Sequence, residues 1–160
     1  MAFAVEMLEF SIASVKRELE RHDCGVPDRI RSLMRQWATS WDSDPEFHVL
    51  VAKQSRMMTA PKGVLREKAL QLYEQYERLF AEGQKRGEIR ADHKPLHLAE
   101  MLEGMLTLIA GNWASGWWKN RSDPLEERFM NGVTVFLGGC GVAKPASSRA
   151  LRGRRRAGSA

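Results

Sequence analysis

The residues best placed to do chemistry are few. His93, His97 and Glu100 follow one another at spacings of four and three. On one helical face that spacing would bring three metal-ligand groups together. Pro95 stands between the histidines, where a helix begins, so His93 falls in the preceding loop and the trio reads as surface. His22 and His48 stand alone. Glu100 and Glu103 lie three apart in a largely apolar stretch. Paired carboxylates can share acid–base work, although one member of such a pair more often just faces solvent. No Ser-His-acid order, glycine-rich phosphate loop or metal-ligand motif stands out. Cys24 and Cys140 are far apart with no CxxC pair, which gives neither a disulfide framework nor a zinc site and fits a reducing cytosol. The expectation is a cytoplasmic binding protein that is not an enzyme and has no cofactor and no metal.

Binding chemistry is better represented. The chain holds five Trp and eight Met, large or adaptable apolar groups that line pockets and interfaces as readily as they fill cores. The elements that must position them are helices. Val5, Leu8, Ile12, Val15 and Leu19 share one face of a first helix,, closed near His22 to Gly25, where glycine would take the left-handed cap conformation. Pro27 opens a second helix carrying Ile30, Leu33, Met34, Trp37 and Trp41. Asp44-Pro45-Glu46 predicts a third, short helix to about Arg56. A long fourth helix carries Leu65, Ala69, Leu72, Tyr73, Tyr76, Leu79 and Phe80, with Gly87 as its cap. A fifth starts near Pro95 with Leu98, Leu102, Met105, Leu106, Ile109 and Trp113. Asp123-Pro124-Leu125-Glu126 starts a sixth through Phe129, Val133 and Phe136, with Asp123 as N-cap and Gly138-Gly139 as the stop,. No run reads as a strand, so the fold class is all-α with about six helices.

At 160 residues the chain suits one domain with one core, able to bury roughly 70% of its unfolded surface. The longest apolar stretch, around Met101 to Ala110, is interrupted by Glu103, so no membrane span is expected. The +5 formal charge is unevenly placed. Lys144, Arg149, Arg152, Arg154, Arg155 and Arg156 outnumber that total by one, leaving the body at −1. The reading is a helical domain over 1–142 and a disordered Arg-rich tail over 143–160. The tail could contact phosphates in a salt-sensitive, sequence-blind way.

One order of motifs carries a resemblance. Phe80 to Arg90 reads FAEGQKRGEIR, followed by Leu98-Ala99-Glu100-Met101-Leu102-Glu103-Gly104, Asn112-Trp113-Ala114, Asp123-Pro124-Leu125-Glu126-Glu127-Arg128-Phe129 and Phe136-Leu137-Gly138-Gly139. Pro27 to Leu33 and Asp44-Pro45-Glu46-Phe47 match more loosely. Over about residues 1 to 140 the chain resembles the C-terminal effector-binding and dimerisation half of TetR-type transcriptional regulators.

The resemblance implies a ligand cavity among the middle helices, walled by Trp37, Trp41, Phe47, Met57, Met58, Tyr73, Tyr76, Phe80 and Trp113, and a small apolar or aromatic effector. It also implies a two-fold homodimer whose last two helices build a four-helix interface from Leu102, Met105, Ile109, Phe129, Val133 and Phe136. Family members carry an N-terminal helix-turn-helix that reads bases in the major groove. No such unit is found here, so the expectation is a truncated regulator that contacts DNA specifically only if that unit lies upstream of this chain. A helical interaction module without a small-molecule pocket is the alternative, and a sealed core would favour it.

Overall fold

Amphipathic spacing of 3 and 4 gives each segment one apolar face as a helix, which packing against its neighbours then stabilises. The computed structural model describes residues 2–43, 62–115 and 123–142, and among them it contains five helices and no strand. They are α1 (Ala2–Glu20), α2 (Val26–Ser43), α3 (Gly63–Lys85), α4 (Pro95–Ala114) and α5 (Leu125–Cys140). The expected short helix after Asp44 lies outside the described residues, as do Phe47, Met57, Met58 and the tail over 143–160. The described residues are therefore all-helical in their regular structure, as the periodicity predicts.

The packing is helix on helix. α3 lies against both α1 and α4, α2 lies against α5, and α4 against α5. Between them run Ile12, Val15, Ile30, Leu33, Met34, Leu79, Phe80, Leu98, Leu102, Phe129 and Val133, all buried. On α1 the buried face is rotated from the expected stripe. Ile12 and Val15 are buried, whereas Val5, Leu8 and Leu19 are only half-buried. Ala4, Ser11 and Ser14 take the vacated positions.

Polar residues weld the α1–α2–α3 corner. Arg29 is fully buried, donates to the Glu18 carbonyl at 3.0 Å and pairs with Glu82 on α3. The Glu18 carboxylate is 2% exposed and accepts from Ser32 Oγ and Gln36 Nε2, each at 2.8 Å, and from Arg21 at 3.0 Å. A buried charge persists only when paired and hydrogen-bonded like this.

The motif FAEGQKRGEIR proves to be a structural junction. Gly87 sits at φ +70° just beyond α3. Glu88 N–H donates to Gly83 O at 2.8 Å and Gly87 N–H to Gln84 O at 3.0 Å, the paired bonds of a Schellman cap. The Glu88 carboxylate then accepts from the Val26 N–H at 2.7 Å and so caps α2. Ile89 is buried and pairs with Gly141 beyond α5.

Three expected boundaries shift. Gly25 does not take positive φ. Its missing side chain instead leaves room for the Glu88 carboxylate, which a Cβ there would meet at 3.2 Å. Pro124, not Asp123, is the N-cap of α5, with no side-chain cap bond, and Asp123 reaches Arg128 at 3.5 Å. Gly138 and Gly139 remain helical, and α5 stops only at Cys140, because hydrogen bonding from the preceding turns outweighs the modest glycine penalty.

Candidate functional site

A cavity of about 60 Å³ opens where α1, α2, α3 and α4 meet. In this measure one water needs roughly 10–15 Å³, so the space takes about four to six water-sized groups. α1 contributes Met7, Leu8, Phe10 and Ser11; α2 contributes Trp37, Ser40 and Trp41; α3 contributes Leu72; α4 contributes Glu103, Leu106, Thr107 and Ala110. The lining is mostly apolar, and Glu103 is the one ionisable residue among these described lining residues.

Glu103 reaches the cavity because of its place on α4. Ala99, Leu102, Leu106 and Ala110 form the buried stripe of that helix, and Glu103 falls within its width. Its Oε2 atom is buried without a hydrogen-bond partner. Burial pushes the carboxyl up to about 7, against a smaller downward pull from a hydrogen bond with Thr107. Trp37 Nε1 is likewise buried and unpartnered. Behind it, fully buried Tyr76 meets the Trp37 ring edge-on, with centroids 6.3 Å apart, and its hydroxyl also lacks a partner. Burial and the nearby Glu103 charge both push the Tyr76 phenol up. Buried polar groups are normally satisfied, so two orphans in the wall of one cavity, with a third behind it, describe a surface short of its complement.

Outside, a wider groove of about 590 Å³ runs between α1 and α2 past Phe10, Arg17, Ser32, Arg35, Gln36, Thr39 and Ser40. Phe10 and Ser40 border both spaces. Arg17 is held by Ser14 at 3.0 Å and Gln36 at 3.3 Å, and Arg35 lies 3.8 Å from Glu126.

The aromatic residues singled out in the sequence divide. Trp37 and Trp41 line the cavity and Tyr76 backs it. Half-buried Tyr73 lies near enough for the Glu103 charge to raise its phenol, after burial itself. Phe80 turns away and packs on Phe136, with centroids 5.9 Å apart. Trp113 packs on the core but not on the cavity. Glu103 and the α1 residues were missed. The signal for Glu103 was legible, since an acid inside an apolar helical stripe must be either buried or the stripe's edge. Nothing local marks α1 as a wall.

The expected dimer face also divides. Leu102, Phe129 and Val133 have at most 1% exposure within one chain and retain no surface for a second copy. Met105, Ile109 and Phe136 are half-buried, and the first two lie against α5 at Gly132, where a Cβ would come within 2.9 Å of Ile109. The outward large apolar residues of α4 and α5 are Leu96, Met101, Leu108 and Val135.

Among the described residues no group of three His, Cys, Asp or Glu could hold a metal ion. His93 lies before α4 and its carbonyl accepts from Gln84 Nε2 at 2.7 Å, while His97 and Glu100 are exposed. Cys24 and Cys140 are free thiols. No described helix is long and apolar enough to cross a membrane.

No family model matches the chain, and no curated protein matches it. Among solved structures it is similar to a protein of unknown function from Rhodococcus sp. RHA1, with a TM-score of 0.68 at 17% identity. The match covers 88% of this chain and 72% of that one. At that identity the likeness concerns the fold alone.

Proposed function

We propose that this chain is a ligand-sensing and dimerisation domain of the kind found in TetR-like transcriptional regulators, which its motifs resemble. The observation that supports it most is the cavity between α1, α2, α3 and α4, where Trp37 Nε1 and Glu103 Oε2 are buried without partners. An interaction module gains nothing from such atoms, each of which costs about 1–3 kcal/mol when left unsatisfied. A small-molecule site gains orientation from a few polar groups in an apolar wall.

In such a domain an effector acts by binding one of two conformations more tightly than the other. The helices around the cavity are those that a ligand would wedge or draw together. Homodimerisation would use the outward faces of α4 and α5, with Met101, Leu108 and Val135 exposed. Any DNA contact by this chain itself would be the sequence-blind one of the Arg-rich tail, and the reading needs no catalytic step.

Titration of the chain with small aromatic and aliphatic molecules, followed by Trp fluorescence, tests the reading. A saturable change is expected, weakened about tenfold in Ala110→Leu, whose added carbons would fill the cavity from α4. Absence of a saturable change with every compound would overturn it.

A further inference from the structure

Resting on the ligand-sensing reading, we infer that the cavity takes a small organic amine, its ammonium group paired with Glu103 and its apolar body held by Trp37, Trp41 and Leu106.

The charge inventory points to the sign. Glu103 is the one ionisable group among the described residues of the lining, and it is an acid. Its Oε2 lies buried with no donor among the described residues to satisfy it. A ligand carboxylate would meet like charge at close range in a low-dielectric site, and a purely apolar ligand would leave the acid unsatisfied. An ammonium supplies both the charge and the missing donors, and charge-assisted hydrogen bonds are the strong ones. The two Trp rings in the wall add faces that attract cations.

The groove outside does not reverse this sign. Arg17 and Arg35 line the groove but not the cavity. Arg17 is tied to Ser14 and Gln36, and Arg35 faces Glu126. Exposed charges there are also screened within about 10 Å at ordinary salt.

The size of the space sets the ligand's reach. About 60 Å³ holds an ammonium and its first few carbons,. A longer body would leave past Phe10, which is 40% exposed and also borders the groove. Trp37 Nε1, a donor without a partner, would suit an ether or carbonyl oxygen near the amine. Because burial holds the Glu103 carboxyl at about 7, part of the population is neutral at pH 7. An arriving ammonium turns that part into carboxylate, and the carboxyl proton passes to solvent.

Isothermal titration of the full chain with benzylamine, benzyl alcohol and benzoate tests the inference. These probes share one ring and differ in charge. Benzylamine should bind about tenfold more tightly than benzyl alcohol, the scale of a hydrogen bond to a charged group, and benzoate should bind weakest. Glu103→Gln should remove the preference for the amine, bringing benzylamine down to the affinity of benzyl alcohol. Equal binding of amine and alcohol would overturn the amine inference and leave the sensor reading standing. Binding of none of the three by a cavity-competent chain would overturn the amine inference, and the broader compound panel would then decide the sensor reading alone. A preference for benzylamine that survives Glu103→Gln would place the amine elsewhere and overturn the inference. Should Glu103→Gln fail to fold, the three-probe comparison on the unaltered chain decides by itself.

Discussion

At the scale of single residues, Glu103 concentrates the tension in this molecule. An acid near the middle of α4 is half-buried with its Oε2 atom shut from solvent, because Ala99, Leu102, Leu106 and Ala110 bury the stripe beside it. Its carboxyl is held up at about 7 by that burial. The groups facing it are Tyr73 and Tyr76 on α3, with Glu100 one turn away on its own helix. Both phenols titrate above 10, so between pH 5 and pH 8 the tyrosines stay neutral. A carboxyl whose folded pKa exceeds its unfolded value stabilises the fold most below the unfolded value, near 4.5,. That stability is lost as pH rises through about 7,. Glu103→Gln cannot ionise and should escape the loss. In melts of the two proteins, the variant should gain thermal stability relative to the parent on going from pH 5 to pH 8. A gap between them that stays constant across that range would refute the burial argument.

At the scale of elements, the turn after α3 holds three helices in place. Gly83 is buried, and a Cβ there would lie 2.6 Å from Ile89 Cγ1 and 3.1 Å from Val26 Cγ1. Gly87 has open space around it but a φ of +70°. The two glycines therefore matter for different reasons, one steric and one conformational. Gly83→Ala should cost about 1–3 kcal/mol by overpacking, and Gly87→Ala about 1–2 kcal/mol by backbone strain. Asparagine tolerates the left-handed region, so Gly87→Asn should recover most of the loss, while Gly83→Asn should be worse than Gly83→Ala. Urea midpoints for the four variants give the comparison, and recovery at position 83 instead of 87 would reverse the assignment. Part of this junction was legible. Gly87 follows a strongly periodic helix, and that position alone predicts its cap. That Glu88 would cap α2, 62 positions away from Val26, could not be read, because the pairing is set by where α2 packs and not by anything near Glu88.

At the scale of the whole molecule, the arrangement leaves apolar side chains outside. Leu108 is 61% exposed and Val135 78%, with Met101 also outward. Single exposed apolar residues are ordinary, but several on two helices that pack together offer a second copy something to cover,. Light scattering at micromolar concentration should find a dimer, and Leu108→Glu with Val135→Glu should give a monomer of unchanged helicity. A monomeric parent protein would rule this surface out.

The division of labour between sequence and fold follows from range. Local pattern was enough to locate the helices, since apolar spacing and Gly and Pro punctuation act within a turn or two. It also determined that Trp37 and Trp41 would lie inward and that the body carries no excess of positive charge. Only the tertiary structure decided which helices touch. That choice sealed Leu102, Phe129 and Val133 into one chain, turned Phe80 toward Phe136, and set Met7 and Phe10 of α1 around the same cavity as Glu103. Residues nearly a hundred positions apart meet there because whole helical faces pack in register, and no local pattern records that register.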